Sequence, residues 1–249
     1  MESSYIIIIL ISLIIYLNYV NYNPSCKIDQ LAMTENERED IYSYLRIISK
    51  LFNKNNIEFW IIGGTTLGSV RHNDIVPWDD DADIGIFDSD METVLELNDE
   101  LQEIGYEIVP AWKIYKFRKI GTTYPFIDIF CYKKEGGRYI MNREDIREVW
   151  PNEYYLVNEL FPLKLYKFGA LLLPGPNYPL DYLDRMYPNW RNIGKHTFDH
   201  KEDKSTDIVV ELEYENPEHK LKPKIYIDPN SNVKRAYDKY HNKKVITIE

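Results

Sequence analysis

The segment Val76–Ile86, VPWDDDADIGI, sets Asp79, Asp80, Asp81 and Asp83 just ahead of an apolar run that reads as a strand. Alternate side chains of a strand share a face, so Asp81 and Asp83 point one way while Ala82 and Ile84 enter the core. Two carboxylates a few ångströms apart repel, and one is driven to hold a proton unless a cation intervenes. A divalent metal removes the conflict, and oxygen-only ligation is what Mg²⁺ or Mn²⁺ prefers. A third carboxylate is expected from a neighbouring strand. Asp128 fits, since in PFIDIF it is flanked by Phe126, Ile127, Ile129 and Phe130. A lone charge in so apolar a strand is unfavourable unless it is paired or ligating. Asp79 and Asp80 read instead as solvated, helix-capping or supporting groups.

Phosphate chemistry has its own candidates. The run EFWII ends in Gly63-Gly64, and TTLGSV follows as the start of a helix. A helix N-terminus offers N–H groups to an anion, and glycine lets the backbone come close. Gly63, Gly64 and Thr65 are therefore the expected phosphate cradle. Arg71 would add a cation able to bind two phosphate oxygens; an ion pair with the aspartate loop is its other reading, and His72 carries the same two. A Gly-Gly alone is a turn and an acidic run alone is a solvated loop. Together, Gly-Gly, Asp-x-Asp and a later strand aspartate form the pattern of a nucleotidyltransferase fold.

Other residues invite plainer readings. His196 and His200 have the i, i+4 spacing of a metal pair, but no glutamate or third ligand completes a zinc motif. Lys116, Arg118 and Lys119 lie on a strand whose basic residues read as a solvated face, with Arg118 the one able to reach a donor phosphate. Trp78 reads as a packing anchor for the aspartate loop, with base stacking as the alternative.

The elements that must position these groups are legible around them. Thr34 and Glu37 make a capping-box pattern ahead of Ile41, Leu45, Ile48 and Leu51 at helical spacing, which predicts a helix to about Lys54. Strand Glu58–Ile62 precedes the Gly-Gly turn. Asp83–Phe87 is a second strand, Ser89 with Glu92 predicts a capped helix, and Gly105 suits its end. Strands are expected around Ile108, Tyr115 and Ile127, and Glu135-Gly136-Gly137 predicts a hairpin turn before Arg138–Met141. The fold class is α+β, a mixed β-sheet flanked by helices.

Composition limits the partners. The 249 residues are 44% hydrophobic and carry a formal charge of -10, which excludes a long nucleic acid held through its phosphates. Tyr5–Leu17 is uncharged and apolar and reads as membrane-directed. Residues 1–22 are expected to be an N-terminal membrane helix, with a signal segment as the rival, although Glu2 stands where a basic residue is usual. Residues 23–33 read as a linker and 34–193 as the catalytic domain. Residues 194–249 read as a polar extension in which 11 basic residues balance 11 acidic ones. DIVVELEYE and KIYIDP within it could add a hairpin. Cys26 and Cys131 suit a pair or two free thiols.

The stretch GGTTLGSVRHNDIVPWDDDADIGI resembles the signature of the LicD family. EFWIIGG resembles the family's opening strand, PFIDIF its third-aspartate strand, and LLLPGPNYPLDYLDRMYPNW its closing segment, so the likeness runs from Thr34 to Trp190. The resemblance implies a nucleotidyltransferase-like fold and transfer of a phospho-alcohol unit from a CDP-activated donor to a hydroxyl of a glycan or glycolipid, releasing CMP. It implies Mg²⁺ or Mn²⁺ held by Asp81, Asp83 and Asp128, the last also able to accept the hydroxyl proton. By the same likeness Gly63, Gly64, Thr65 and Arg71 bind the donor. Two alternatives stay open: nucleotidyl transfer from an NTP, and a glycan-binding protein without activity.

Overall fold

The computed structural model describes residues 6, 9–16, 33–212, 233–238 and 243–248. Helix α1, Glu35–Lys54, opens on the expected capping box: Thr34 Oγ1 accepts from the Glu37 N–H at 3.3 Å, and the Thr34 N–H donates to Glu37 Oε2 at 2.8 Å. Two orphan donors are thereby satisfied. Its apolar face, with Tyr44, Leu45, Ile48 and Phe52 among its buried residues, belongs to the main core, where Phe52 meets Phe59 and Tyr44 meets Phe117 edge to face.

Strand β1, Phe59–Ile61, leads into helix α2, Gly63–Arg71, and strand β2, Ala82–Phe87, follows the aspartate loop. The stretch after β2 differs from expectation. Ser89 caps nothing, because Asp88–Asp90 form a 3-10 turn ahead of two short helices, α3 (Met91–Glu96) and α4 (Asn98–Glu103). Strands β3 (Tyr106–Ala111), β4 (Ile114–Lys119), β5 (Ile127–Glu135), β6 (Arg138–Met141) and β7 (Tyr154–Leu156) complete a seven-stranded sheet. Its main path runs β1-β2-β5-β4-β3, with β6 and β7 continuing from β5. Only β2 and β5 pair in parallel, so the sheet is mixed as expected. That parallel pair brings the two aspartate strands side by side.

Strands β8 (Lys164–Phe168) and β9 (Leu171–Gly175) precede helix α5 (Pro179–Met186). Strands β10 (Ile193–Asp199) and β11 (Lys204–Glu211) then form a hairpin, and β12 (Val233–Asp238) with β13 (Lys243–Ile248) adds to the β8–β9 sheet. The sequence reading begins a separate extension at Gly194. In the structure residues 194–212 return to the aspartate loop: the Trp78 Nε1–H donates to the Lys195 carbonyl at 3.0 Å, and a Cβ on Gly194 would lie 2.5 Å from the Trp78 ring. DIVVE forms most of β11 and Leu212 follows it, buried; residues 213–215 of that motif and KIYIDP lie outside the described residues.

The membrane helix expected over residues 1–22 finds no support, since among the described residues no helix is long and apolar enough to cross a membrane. Residues 9–16 are helical, and much of the remaining segment, with nearly all of the 23–33 linker, lies outside the described residues. Cys26 lies outside them too. Cys131 is buried on β5, where burial and the Asp88 charge push its thiol up to about 12.

Candidate active site

The strand register assembles the carboxylates. Asp83 on β2 sits opposite Asp128 on β5, so both project from the same face of the sheet, and Asp81 precedes β2 by one residue with the expected parity. One carboxylate oxygen from each of Asp81, Asp83 and Asp128 lies within 4.8 Å of the others. Asp81 and Asp128 are 8% and 7% exposed, too enclosed for water to screen the repulsion.

That crowding moves their acidities. Burial, then the charges of Asp81, Asp128, Asp79 and Glu153, raises Asp83 well above the usual carboxylate range. Asp79 rises for the same reasons, burial first and Asp81 next. Burial and the Asp81 charge raise Asp128 to about 7 against the opposing pull of Lys116 and His200. Lys116 Nζ stands 3.3 Å from Asp128 Oδ1, over the Phe126 ring, but in a direction that makes no hydrogen bond. The Oδ1 atom is therefore buried without a hydrogen-bond partner.

The glycines meet these carboxylates directly. Gly63 has φ +50°, and a Cβ there would lie 2.8 Å from Asp83 Oδ2; one on Gly64 would lie 2.6 Å from Asp79 Oδ2. Any side chain at either position would press into the acidic cluster. The Gly63 N–H donates to Tyr182 Oη at 2.9 Å and so does not itself face the site. Thr65 Oγ1 accepts from the Asp83 N–H at 2.7 Å, tying the first turn of α2 to β2.

Arg71 is placed differently from the phosphate-binding role expected of it. It is 1% exposed, donates from Nη1 to the Trp190 carbonyl at 2.7 Å and the Ile193 carbonyl at 3.2 Å, and from Nε to His72 Nε2 at 2.8 Å. Burial lowers its pKa to about 10 despite the Asp79 charge. Arg71 thus ties α2 to the chain leading into β10, and His72 is part of that tie. Arg118 is likewise engaged, donating to Glu107 at 2.9 Å. Trp78 is buried and serves as the anchor expected.

The histidine pair does not form a joint site. His196 lies on β10 with Nδ1 2.6 Å from Thr206 Oγ1, and burial lowers its pKa. His200, in the β10–β11 turn, instead meets the aspartate loop: its N–H donates to Asp80 Oδ2 at 2.8 Å, its Nδ1 lies 2.7 Å from Asp80 Oδ1, and its Nε2 lies 3.6 Å from Asp81. Burial opposes the imidazolium, yet the Asp80 hydrogen bond and the charges of Asp81, Asp80 and Asp128 raise it to about 9. Asp80, Asp81 and His200 also satisfy the spacing of a metal group. Sequence reasoning missed this contact because it joins residues 120 positions apart with no motif between them. It also missed Glu153, which accepts from Tyr182 at 2.6 Å and Tyr132 at 2.7 Å beneath Gly63; burial raises it to about 7.

An all-oxygen, buried, mutually repelling set with an orphan oxygen is what a hard divalent cation would stabilise. Asp81, Asp83 and Asp128 are the residues able to hold it.

Comparison with known proteins agrees with this geometry. Residues 56–178 match the family model described as LicD/FKTN/FKRP, nucleotidyltransferase domain. An uncharacterized protein of Rickettsia prowazekii is 37% identical over 150 residues, 60% of this chain and 54% of that one. The human ribitol 5-phosphate transferase FKRP is 32% identical over 184 residues, 69% of this chain and 34% of that one. The chain spans about half the length of the rickettsial relatives it matches and a third of FKRP. Among solved structures, the lincosamide adenylyltransferase LnuA overlaps 58% of this chain and 81% of its own at 18% identity and TM-score 0.36, too slight a likeness to bear on the argument. Residues 56–178 are thus identified as a LicD-type nucleotidyltransferase domain.

Proposed function

We propose that the chain transfers a phospho-alcohol unit, such as ribitol phosphate or phosphocholine, from a CDP-activated donor to a hydroxyl of a glycan or glycolipid, releasing CMP. The reading is carried by one observation: Asp81, Asp83 and Asp128 converge from β2 and β5 as an enclosed carboxylate set that Lys116 and His200 offset only in part. The family match and the ribitol-phosphate transferases among the relatives supply the reaction class.

Asp81, Asp83 and Asp128 would hold Mg²⁺ or Mn²⁺. The bound ion would offset the charge of the donor diphosphate, which carboxylates alone would repel. Gly64 and Thr65 belong to the first turn of α2, whose N–H groups favour an anion, and the absent side chains of Gly63 and Gly64 keep the approach open. We assign Asp128 to take the proton of the attacking hydroxyl, since it is the carboxylate that β5 brings beside Asp81 and Asp83. His200 and Lys116 hold Asp80 and Asp128 in place from opposite sides. The catalytic unit then runs from Thr34 to about Leu212, and residues 1–22 attach it to a membrane.

The test is incubation with CDP-choline, CDP-ribitol and CDP-glycerol, Mn²⁺ or Mg²⁺ and a panel of glycan acceptors, read by mass spectrometry. CMP together with a phospho-alcohol adduct is the expected product. Pyrophosphate from an NTP would assign nucleotidyl transfer instead, and no turnover with no Mn²⁺ binding would leave a glycan-binding protein. Deleting residues 1–22 should abolish vesicle association and keep turnover on a small soluble acceptor; loss of that turnover in a folded protein would make the segment part of the catalytic body.

A further inference from the structure

Away from the carboxylates, the β3–β4 hairpin makes an unusual choice. Ala111 pairs with Ile114, so Trp112 and Lys113 form a two-residue turn, and Trp112 has φ +51°. That first turn position normally takes glycine, because a bulky side chain there is strained. The chain nevertheless places an indole at the site and leaves it 66% exposed. Its contacts, the Trp150 ring and the Lys113 ammonium 4.8 Å from its centre, still leave most of the indole in solvent, and an outlier of this kind points to function.

The ring is not isolated. Trp112 meets Trp150 edge to face at 5.7 Å, Trp150 is itself 36% exposed, and it meets Phe130 at 5.9 Å. Phe130 lies two residues beyond Asp128 on β5, hence on the same face of the sheet. An aromatic series thus runs from the surface turn toward the carboxylates. Where β5 has left β4 after Ile129 and meets β6 from Tyr132 lies a cleft of about 190 Å³ bordered by Trp112, Lys113, Tyr115, Cys131, Asn142 and Arg143, its Tyr115 and Cys131 side alternating with the face that carries Asp128. Enclosed sites for drug-sized ligands measure roughly 300–1,000 Å³, so this one suits a single ring of a chain-like ligand.

Its charge is also informative. Lys113 and Arg143 share one carboxylate, Asp145, at 3.4 and 2.9 Å, which offsets one of the two charges and leaves hydrogen-bonding groups beside aromatic faces. That combination fits a sugar ring, whose apolar C–H face can lie on an indole while its hydroxyls meet Asn142 and the basic groups. Position agrees: the Gly63–Thr65 turn follows β1 on one side of the β2–β5 pair, and the tryptophans lie on the β4–β3 side. In-line transfer at phosphorus needs attacking and leaving groups on opposite sides.

We infer that Trp112 and Trp150 form a stacking platform for the sugar rings of an oligosaccharide acceptor. The inference rests on the transfer reaction proposed above and supplies its acceptor subsite.

The test uses the full chain on an array of oligosaccharides, followed by calorimetric titration of the tightest binder and, separately, of CMP. Wild type should bind, and Trp112→Gly and Trp150→Ala should weaken saccharide affinity at least tenfold, while Trp112→Phe stays within threefold. Trp112→Gly should melt no lower than wild type, because glycine suits the turn, so its loss of binding cannot be a loss of fold. In turnover these two variants should raise the acceptor KM at least tenfold with a smaller change in kcat. Absence of saccharide binding by wild type, unchanged affinity in both variants, or loss of CMP in place of saccharide would overturn the platform. Saccharide binding without any turnover would retain the platform and refute the reaction; turnover with an unaltered acceptor KM would do the reverse.

Discussion

Glu159 and the aspartate set are both enclosed carboxylates, and the fold treats them differently. Glu159, 3% exposed, accepts from Arg185 at 2.9 and 3.2 Å and from the Leu156 N–H at 2.9 Å. Its charge is matched by a guanidinium in fork geometry. Asp81 and Asp128 are nearly as enclosed and Asp83 is half-buried, yet the three carboxylates have only Lys116, 3.3 Å from Asp128, and His200, 3.6 Å from Asp81, to offset them, and neither contact is a fork of hydrogen bonds. A chain that supplies an arginine where a carboxylate is structural has left this second set for a cation from outside. The comparison separates holding a fold from preparing a reaction.

Substitutions on each side should act in opposite senses. The largest effect is expected of Asp83→Asn, which keeps size but removes a ligand charge: transfer should fall on the order of 10³-fold. The metal-free protein should melt at the same temperature or higher, since repulsion is relieved. Activity within a few-fold of wild type at saturating Mn²⁺ would remove Asp83 from the ligand set.

Arg185→Met should instead unfold the protein more easily, by about 3–5 kcal/mol in urea, because Glu159 is left buried and unpaired. Adding Glu159→Gln should recover part of that loss, and Mn²⁺ affinity should move little in the double variant. A single variant as stable as wild type would show that the pair compensates nothing.

Proton linkage gives the next effect. Asp83, Asp128 and Glu153 have folded pKa values above their unfolded ones, so the folded state holds protons that the unfolded chain releases. Metal-free stability should therefore be greatest near pH 4 to 5 and decline as pH rises through about 7, by several kcal/mol. Mn²⁺ should flatten that decline. Stability that rises steadily with pH in the metal-free protein would reverse the sign and contradict the burial argument.

The smallest effect is expected at His200. Its removal frees Asp80 and loosens the β10–β11 turn, and the loss of about 1 kcal/mol of hydrogen bonding should weaken Mn²⁺ binding a few-fold. Inactivation as complete as in Asp83→Asn would place His200 among the ligands.

Local signals made much of this legible in the chain. Thr34 and Glu37 cap α1 through contacts three residues apart, and the parity of Asp81 and Asp83 is a property of any strand. Asp128 stood out because its neighbours are all apolar. Arg71 could not be read in the same way. Its side chain was expected at a phosphate, but its partners are carbonyls 119 and 122 residues later, and only the folded return of that segment fixes its direction. Ser89 failed as a cap for a nearer reason, since Asp88–Asp90 close a 3-10 turn at the point where the helix was expected to begin. His200 and Glu153 were hidden because each acquires its role only when distant segments meet.

The central claim is that Asp81, Asp83 and Asp128 are only partly compensated by Lys116 and His200 in the metal-free chain because a divalent cation completes them. Calorimetric titration of Mn²⁺ in buffers of different ionisation enthalpy, for wild type and Asp128→Asn at pH 6 and 7.5, tests it most directly. Wild type should bind Mn²⁺ with release of protons and more tightly at the higher pH, and Asp128→Asn should lose most of both the affinity and the proton release. Equal affinity and equal proton release in the two proteins, or no binding in either, would contradict the account.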